Sequence, residues 1–204
     1  MNVSRRSLLK LLIVLPAGAV VLAACGGSGS GMGNMPSMNQ GTTATPGMAG
    51  MGSATYDQNF IDMMVAHHQA AIDMAKIAQR KGEHTELKRL AADIVSAQDG
   101  EIAQMKAWRK QWYGSDQIAT STAGGMSGMG GMNVDLGQLE HAQPFDKAFI
   151  DNMTPHHESA IQMAKDAQTK AQHQEIKDLA GQIIAAQQKE IDQMKAWRAQ
   201  WFPG

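Results

Sequence analysis

The stretch "FIDMMVAHHQAAIDMA" occupies Phe60–Ala75, and a near copy, "FIDNMTPHHESAIQMA", occupies Phe149–Ala164. Both belong to longer copies, Tyr56–Tyr113 and Phe145–Phe202, which align without a gap at a constant offset of 89 residues. More than half of the aligned positions are identical, which indicates an internal duplication. The chain therefore contains one folding unit twice, and each unit carries a pair of adjacent histidines.

Each copy has the periodicity of a helical hairpin. In the first copy, apolar residues recur at helical spacing from Phe60 to Ala78, Gly82 is a stop signal, and a second amphipathic stretch starts near Thr85. Two hairpins supply four amphipathic helices, so the sequence predicts an all-α four-helix bundle built from two duplicated helical hairpins. In the second copy, Pro155 falls inside the helical pattern and predicts either a kink or a helix start there.

Two segments rich in Met and Gly flank the first hairpin. Residues 26–54 and 115–143 carry little charge and few large apolar side chains, and such segments cannot bury a core. The first is predicted to be a flexible tether and the second a linker, with hairpin repeats at 55–114 and 144–204. Their methionines are either auxiliary soft-metal ligands or low-complexity sequence. These methionines are Met32, Met35, Met38, Met48, Met51, Met126, Met129 and Met132.

Residues 1–25 have the composition of an export signal, with a basic start and a short apolar run. Ser4–Lys10, "SRRSLLK", resembles a twin-arginine motif, and Leu22–Cys25, "LAAC", resembles a lipobox whose cysteine is lipidated. We therefore expect an exported lipoprotein, anchored through Cys25 on the outer face of the cytoplasmic membrane or in the periplasm. An uncleaved anchor and a plain secretory signal are the alternatives.

Composition excludes several classes of function. The formal net charge is -1, whereas binding to nucleic acid phosphates needs a surplus of Lys and Arg. A single cysteine excludes an internal disulfide and a cysteine-based zinc site. We find neither a nucleotide-binding loop nor an arrangement typical of a serine or cysteine nucleophile.

The apolar faces of the predicted helices carry polar residues that suit a metal. Both histidines of each pair lie within the apolar stripe, and a glutamate on the stripe of the second helix is costly unless it is paired. An antiparallel hairpin brings these residues within about one helical turn of a common level. The candidate site residues at this level are Met64, His67, His68, Gln98, Glu101 and Met105, with Met153, His156, His157, Gln187, Glu190 and Met194 in the second copy. Met74 and Met163 lie about two turns further along and are second-tier candidates.

Histidine and methionine on one face favour copper. Imidazole suits several transition metals, whereas a thioether selects Cu(I), for which Ag(I) is a chemical mimic. Glu101 and Glu190 either ligate the metal or accept the outer N–H of a ligand histidine, and we favour the second role. The alternative is a structural His–Glu network in which the methionines only pack.

These same residues resemble a known family. The two histidine stretches, together with "IVSAQDGEIAQMKAW" and its second copy, are similar to the bacterial DUF305 family, which includes CopM-type periplasmic copper-binding proteins. The resemblance covers both copies and implies a ferritin-like four-helix bundle. For copper-binding members it implies sequestration of Cu(I) and Ag(I) through Met and His outside the cytoplasm.

Three functional hypotheses follow. The leading one is a copper-binding lipoprotein that buffers Cu(I) or passes it to a partner protein, and is not an enzyme. The second is a ferritin-like metalloenzyme with a redox centre, although the Glu-x-x-His motif of di-iron bundles does not occur. The third is a structural or interaction bundle without metal. Whether the hairpins share one site, and whether the bundle is a monomer or a dimer, stays open.

Three further features concern the ends of the bundle. The tryptophan pairs of the "MKAWRxQW" repeats are expected to pack there. His84 and His173 fall in the predicted turns and are expected to be solvated. His141 has no counterpart in the other copy and receives no role.

Overall fold

The computed structural model describes residues 53–118 and 134–203, and regular structure within these ranges is entirely helical. The predicted all-α bundle of two duplicated hairpins is confirmed, with one additional short helix. The helices, in chain order, are α1 (Ser53–Lys81), α2 (Thr85–Tyr113), α3 (Leu136–His141), α4 (Phe145–Lys170) and α5 (Gln174–Trp201). Helices α1 and α2 form the first hairpin, and α4 and α5 form the second.

The hairpins turn where the sequence predicts. Helix α1 ends immediately before Gly82, whose N–H donates to the Ala78 carbonyl at 2.9 Å. Ala171 replaces this glycine in the second copy with a φ of -64°, so the turn needs no left-handed residue. Gly114 differs, because it ends α2 with a φ of +77°, a conformation that glycine adopts without steric cost.

Helix α4 does not start at Pro155. It begins at Phe145 and continues through the proline to Lys170. Pro155 cannot donate to the carbonyl of Asp151, but both residues are exposed, so this carbonyl lies on the solvent side of the helix. The expected helix start is therefore wrong, and the proline is accommodated on the outer face.

A short helix lies in the segment predicted to be a linker. Helix α3 begins after Asp135, whose side chain accepts a hydrogen bond from the Gln138 N–H at 2.9 Å. Leu139 is 3% exposed in the core, and α3 packs on both α1 and α4. One buried leucine thus fixes this part of residues 115–143 against the bundle.

Helices α1 and α4 run antiparallel and join the two hairpins. Asp57 near the start of α1 accepts two backbone N–H groups from the turn of the second hairpin, including that of His173 at 2.9 Å. Asp146 near the start of α4 does the same for the first hairpin, including the N–H of His84 at 2.8 Å. Both aspartates are fully buried, so each hairpin caps a helix of the other.

The turn histidines complete these contacts. His84 Nδ1 lies 2.7 Å from Asp146, and its ring stacks on Trp201 with centroids 3.8 Å apart. His173 Nδ1 lies 2.6 Å from an Asp57 carboxylate oxygen, and its ring stacks on Trp112 at 3.7 Å. The expectation of solvated histidines holds only in part, because the side chains are 36% and 30% exposed while the opposite hairpin holds each ring. We call these triplets the inter-hairpin clasps: Asp57–His173–Trp112 and Asp146–His84–Trp201.

The apolar core forms two clusters towards opposite ends of the bundle. One combines the start of α1, the end of α2, the end of α4 and the start of α5, and the other combines the remaining halves. The paired tryptophans pack against these clusters as expected. The histidine pairs fall between the clusters along α1 and α4. No helix in the described ranges combines the length and apolar character needed to cross a membrane.

Candidate metal centre

The four paired histidines form one continuous row through the middle of the bundle. His67 and His156 meet across the α1–α4 contact, with ring centroids 3.8 Å apart and planes inclined at 45°. His68 lies 6.4 Å from His67, and His157 lies 6.3 Å from His156. All four side chains are fully buried. The two hairpins therefore contribute to one shared layer of imidazoles.

A glutamate lies at each outer end of the row. The Nε2 atom of His68 is 2.6 Å from Glu101, and that of His157 is 2.7 Å from Glu190. A carboxylate accepts, so each Nε2 carries a hydrogen, and in a neutral imidazole Nδ1 then keeps the lone pair. The glutamate side chains are 19% and 17% exposed, so the row reaches solvent at both ends. This is the geometry expected for a carboxylate that orients a ligand histidine.

Five buried imidazole nitrogens in the row have no hydrogen-bond partner in the protein. They are the Nδ1 atoms of His67, His68 and His157, and both nitrogens of His156. A buried polar atom without a partner costs about 1–3 kcal/mol, and such atoms are concentrated at functional sites. Unpaired imidazole lone pairs inside an apolar core are suitable ligands for a transition metal, so these residues fit a metal chemically.

Burial keeps the two central imidazoles neutral. Desolvation is the main cause, followed by the neighbouring imidazoles, and together they lower the pKa of His156 from 6.5 to about 3. The same causes hold the pKa of His67 well below 6.5. A metal competes with a proton for the imidazole lone pair, so a depressed pKa leaves these nitrogens available at mildly acidic pH.

The two predicted glutamines lie on the second helices of the hairpins and face the core. Gln98 and Gln187 are each 3% exposed, and the amide oxygen of each has no hydrogen-bond partner in the protein. Each hairpin therefore has one unpaired amide oxygen in addition to its unpaired imidazole nitrogens.

The six core methionines group across the hairpins rather than within them. Met64 and Met105 share their cluster with Met163 of the second hairpin. Met153 and Met194 share theirs with Met74 of the first. All six are at most 4% exposed. Met74 and Met163 therefore do not join the methionines of their own hairpin, because α1 and α4 run antiparallel. One mixed set of thioethers lies in each cluster.

The spacing of the imidazoles in the row limits how a metal can be held. In residues 53–118 and 134–203, no three His, Cys, Asp or Glu side chains form a group that could hold an ion by themselves. Ring spacings near 6 Å on each side of the central pair explain this, because the imidazoles follow one another instead of surrounding a point. A site built on them therefore needs a thioether or a change of side-chain orientation.

Several predicted residues lie outside the described part of the chain. They are Cys25 and the tether and linker methionines Met32, Met35, Met38, Met48, Met51, Met126, Met129 and Met132. Their roles stay predictions.

Sequence reasoning missed one residue of the row. Ser159 accepts a hydrogen bond from His67 Nε2 at 2.7 Å across the hairpins. Ser159 lies three residues after His156, and the other copy has alanine at the equivalent position. This difference between the copies was the signal available in the sequence.

The fold and this row describe a duplicated helical bundle with a buried, metal-competent histidine layer. The sequence profile of the family "Domain of unknown function (DUF305)" matches residues 57–198, which is most of the chain. The chain belongs to the DUF305 family.

Solved structures agree with this assignment. CopM in its Cu(I)-bound form has 42% sequence identity to this chain and a TM-score of 0.63, and the match covers 72% of this chain and 97% of CopM. Its Ag-bound form, obtained by soaking, gives a TM-score of 0.61 at the same identity, with coverage of 72% and 97%. A DUF305 protein from Streptomyces coelicolor, assigned as secreted, is 27% identical with a TM-score of 0.63, and the match covers 70% of this chain and 91% of that one.

One curated relative matches over a shorter region. The uncharacterized protein L153 of Acanthamoeba polyphaga mimivirus is 41% identical over 51 residues, or 25% of this chain. The match spans about a third (34%) of the viral protein.

Proposed function

We propose that this chain is an extracytoplasmic copper-binding protein that sequesters or buffers Cu(I) through its core histidines and methionines. The observation that carries the proposal is the row of buried imidazoles with five nitrogens free of protein partners. A core that served packing alone gains nothing from unpaired polar atoms, whereas a metal gives them a partner. Copper-bound and silver-bound structures of CopM, at 42% identity, support this choice of metal.

Donor chemistry favours Cu(I) over harder ions. The row offers neutral nitrogens, and the two adjoining clusters offer three thioethers each. Thioethers select Cu(I) and, by the same softness, Ag(I), while Mg²⁺ and Ca²⁺ prefer oxygen. We infer that the ligands come from the four histidines and from Met64, Met74, Met105, Met153, Met163 and Met194.

The glutamates act on the metal indirectly. Glu101 accepts the Nε2–H of His68 and thereby leaves Nδ1 as the nitrogen with the lone pair, and Glu190 does the same for His157. A carboxylate in this position also makes the imidazole a stronger base, which strengthens its bond to a metal. Gln98 and Gln187 contribute unpaired amide oxygens at the same layer.

Storage or transfer suits this layer better than catalysis. The four histidines and six methionines are almost entirely shielded from solvent, so an ion held among them is enclosed. A catalytic metal instead keeps a coordination position open to its substrate. We therefore propose a copper buffer that exchanges its ion with a copper-handling partner.

Residues 1–25 support the location of this function. The twin-arginine-like and lipobox-like motifs favour export and lipidation at Cys25, and the tether methionines provide soft ligands for capture outside the cytoplasm. The assignment of the Streptomyces coelicolor relative as secreted is consistent with export.

An anaerobic competition titration tests the proposal. The chain from residue 26 onward is titrated with Cu(I) against a chromogenic chelator, beside a matched variant in which the eight tether and linker methionines are changed to leucine. Tight binding that survives in the leucine variant is expected. Binding lost in that variant would place the function in the tethers, and an absence of binding in both would overturn the copper assignment.

A further inference from the structure

The two halves of the histidine row are not equivalent, although the chain that builds them is duplicated. At the position three residues after the first histidine of each pair, the first copy has Ala70 and the second has Ser159. Both side chains are half-buried. His67 Nε2 lies 2.7 Å from Ser159 Oγ across α1–α4, whereas neither nitrogen of His156 has a hydrogen-bond partner in the protein.

The His67 ring contacts the hydroxyl of Ser159 and also the backbone of His156. The hydroxyl indicates which nitrogen of His67 carries the hydrogen. Ser159 donates its hydrogen to the carbonyl of His156 at 2.7 Å. A hydroxyl has one hydrogen, so towards His67 its oxygen accepts, and Nε2 of His67 is the donor at 2.7 Å. His67 therefore keeps its lone pair on Nδ1, which has no partner in the protein.

His156 has no corresponding constraint. Neither of its nitrogens has a hydrogen-bond partner in the protein, although the side chain is fully buried. No hydrogen bond to the protein selects its tautomer or holds its ring orientation. Of the two central imidazoles, His67 is therefore held by a hydrogen bond and His156 is not.

We propose that Ser159 is a positioning residue that fixes the hydrogen of His67 on Nε2 and so presents Nδ1 of His67 to a ligand. The binding of a soft metal ion by this Nδ1 rests on the proposed function. The tautomer of His67 concerns the metal-free protein and is independent of it.

Nitrogen-15 NMR of the histidine rings tests both parts on the whole exported chain. In the metal-free protein, His67 should show hydrogen on Nε2. Ser159→Ala should abolish this single-tautomer signature, and Ser159→Thr, which keeps the hydroxyl, should restore it. A merely structural serine would leave the His67 tautomer unchanged in Ser159→Ala when circular dichroism shows an intact bundle. That result, or hydrogen on Nδ1 of His67 in the unchanged chain, would overturn the proposal.

Titration with Ag(I) then tests the link to metal binding. In the unchanged chain, Nδ1 of His67 should shift on addition of Ag(I), while Nε2 keeps its hydrogen.

Two outcomes distinguish the parts of the proposal. Shifts at the other imidazoles with none at His67 would refute the ligand role of His67 while leaving copper binding intact. If Ag(I) moves no imidazole, the proposed function fails, and the tautomer of His67 still decides the role of Ser159.

Discussion

Acid should unfold the metal-free bundle, because its two central imidazoles resist protonation. The pKa of His156 is about 3 in the folded protein and near 6.5 in the unfolded chain. Between these values the unfolded chain binds a proton that the folded protein does not, so the free energy of unfolding falls as pH falls. The stability is fully present above pH 6.5 and is lost progressively as pH drops towards the folded value.

The magnitude follows from the pKa difference. Each pH unit below 6.5 costs about 1.4 kcal/mol for one such group, so lowering the pH from about 7.5 to about 5 removes about 2 kcal/mol through His156 alone. His67, whose pKa is also held well below 6.5, adds a loss in the same direction. With a urea dependence of roughly 2 kcal/mol per molar, the loss through His156 alone lowers the urea midpoint by about 1 M, and His67 moves it further in the same direction.

Urea unfolding followed by circular dichroism at the two pH values measures this loss. His156→Gln removes one titrating group from the core and should reduce the pH dependence by about 2 kcal/mol. His141→Gln, at an exposed position, is the matched control and should leave it unchanged. Equal stability of the unchanged chain at both pH values would refute the burial argument, as would a His156→Gln variant with undiminished pH dependence.

Three further predictions concern single contacts. Glu101→Gln should weaken Cu(I) binding about 10–100-fold in a chelator competition, because the carboxylate orients His68, while the exposed Glu175→Gln should have no effect. Asp146→Asn should cost about 2 kcal/mol or more in urea unfolding, because it weakens charge-assisted hydrogen bonds to a buried carboxylate; an unchanged midpoint would mean that this clasp contributes nothing. Thr154→Val should leave the melting temperature unchanged or raise it, because the buried Thr154 hydroxyl has no partner, whereas the reciprocal Val65→Thr should lower it.

Periodicity and duplication were enough to predict the hairpins. The apolar stripe from Phe60 to Ala78 and the stop at Gly82 correspond to the helix and turn of the structure. Both signals are local, because a helix and its termination depend on residues within a few positions of one another. The sequence also predicted that His68 and Glu101 lie at a similar height in the hairpin, because two antiparallel helices have the same rise per residue.

Contacts between the hairpins were not predictable in the same way. Asp57 bonds to backbone groups 115 and 116 residues away in the chain, and no local pattern marks it as a cap for another helix. The turn residues His84 and His173 looked like solvated polar residues for the same reason. The aspartate, histidine and tryptophan of the clasps are all retained in both copies, and this retention was the sequence signal of the clasps.

The grouping of the methionines shows the same limit. Met74 and Met163 were candidate ligands of lower rank, and the sequence left open whether the hairpins share a site. The antiparallel α1–α4 contact places Met74 with Met153 and Met194, and Met163 with Met64. The short turn sets which residues face each other within a hairpin. Which residues face each other between hairpins depends on long-range packing, which sequence periodicity does not reveal.

X-ray absorption at the copper edge tests the central claim most directly. The Cu(I)-loaded chain is compared with the variant in which all eight tether and linker methionines are leucine. A core site predicts that nitrogen and sulfur both surround the copper, and that this mixed environment persists in the leucine variant. Copper surrounded by sulfur alone, with that environment lost in the leucine variant, would contradict a site in the histidine row.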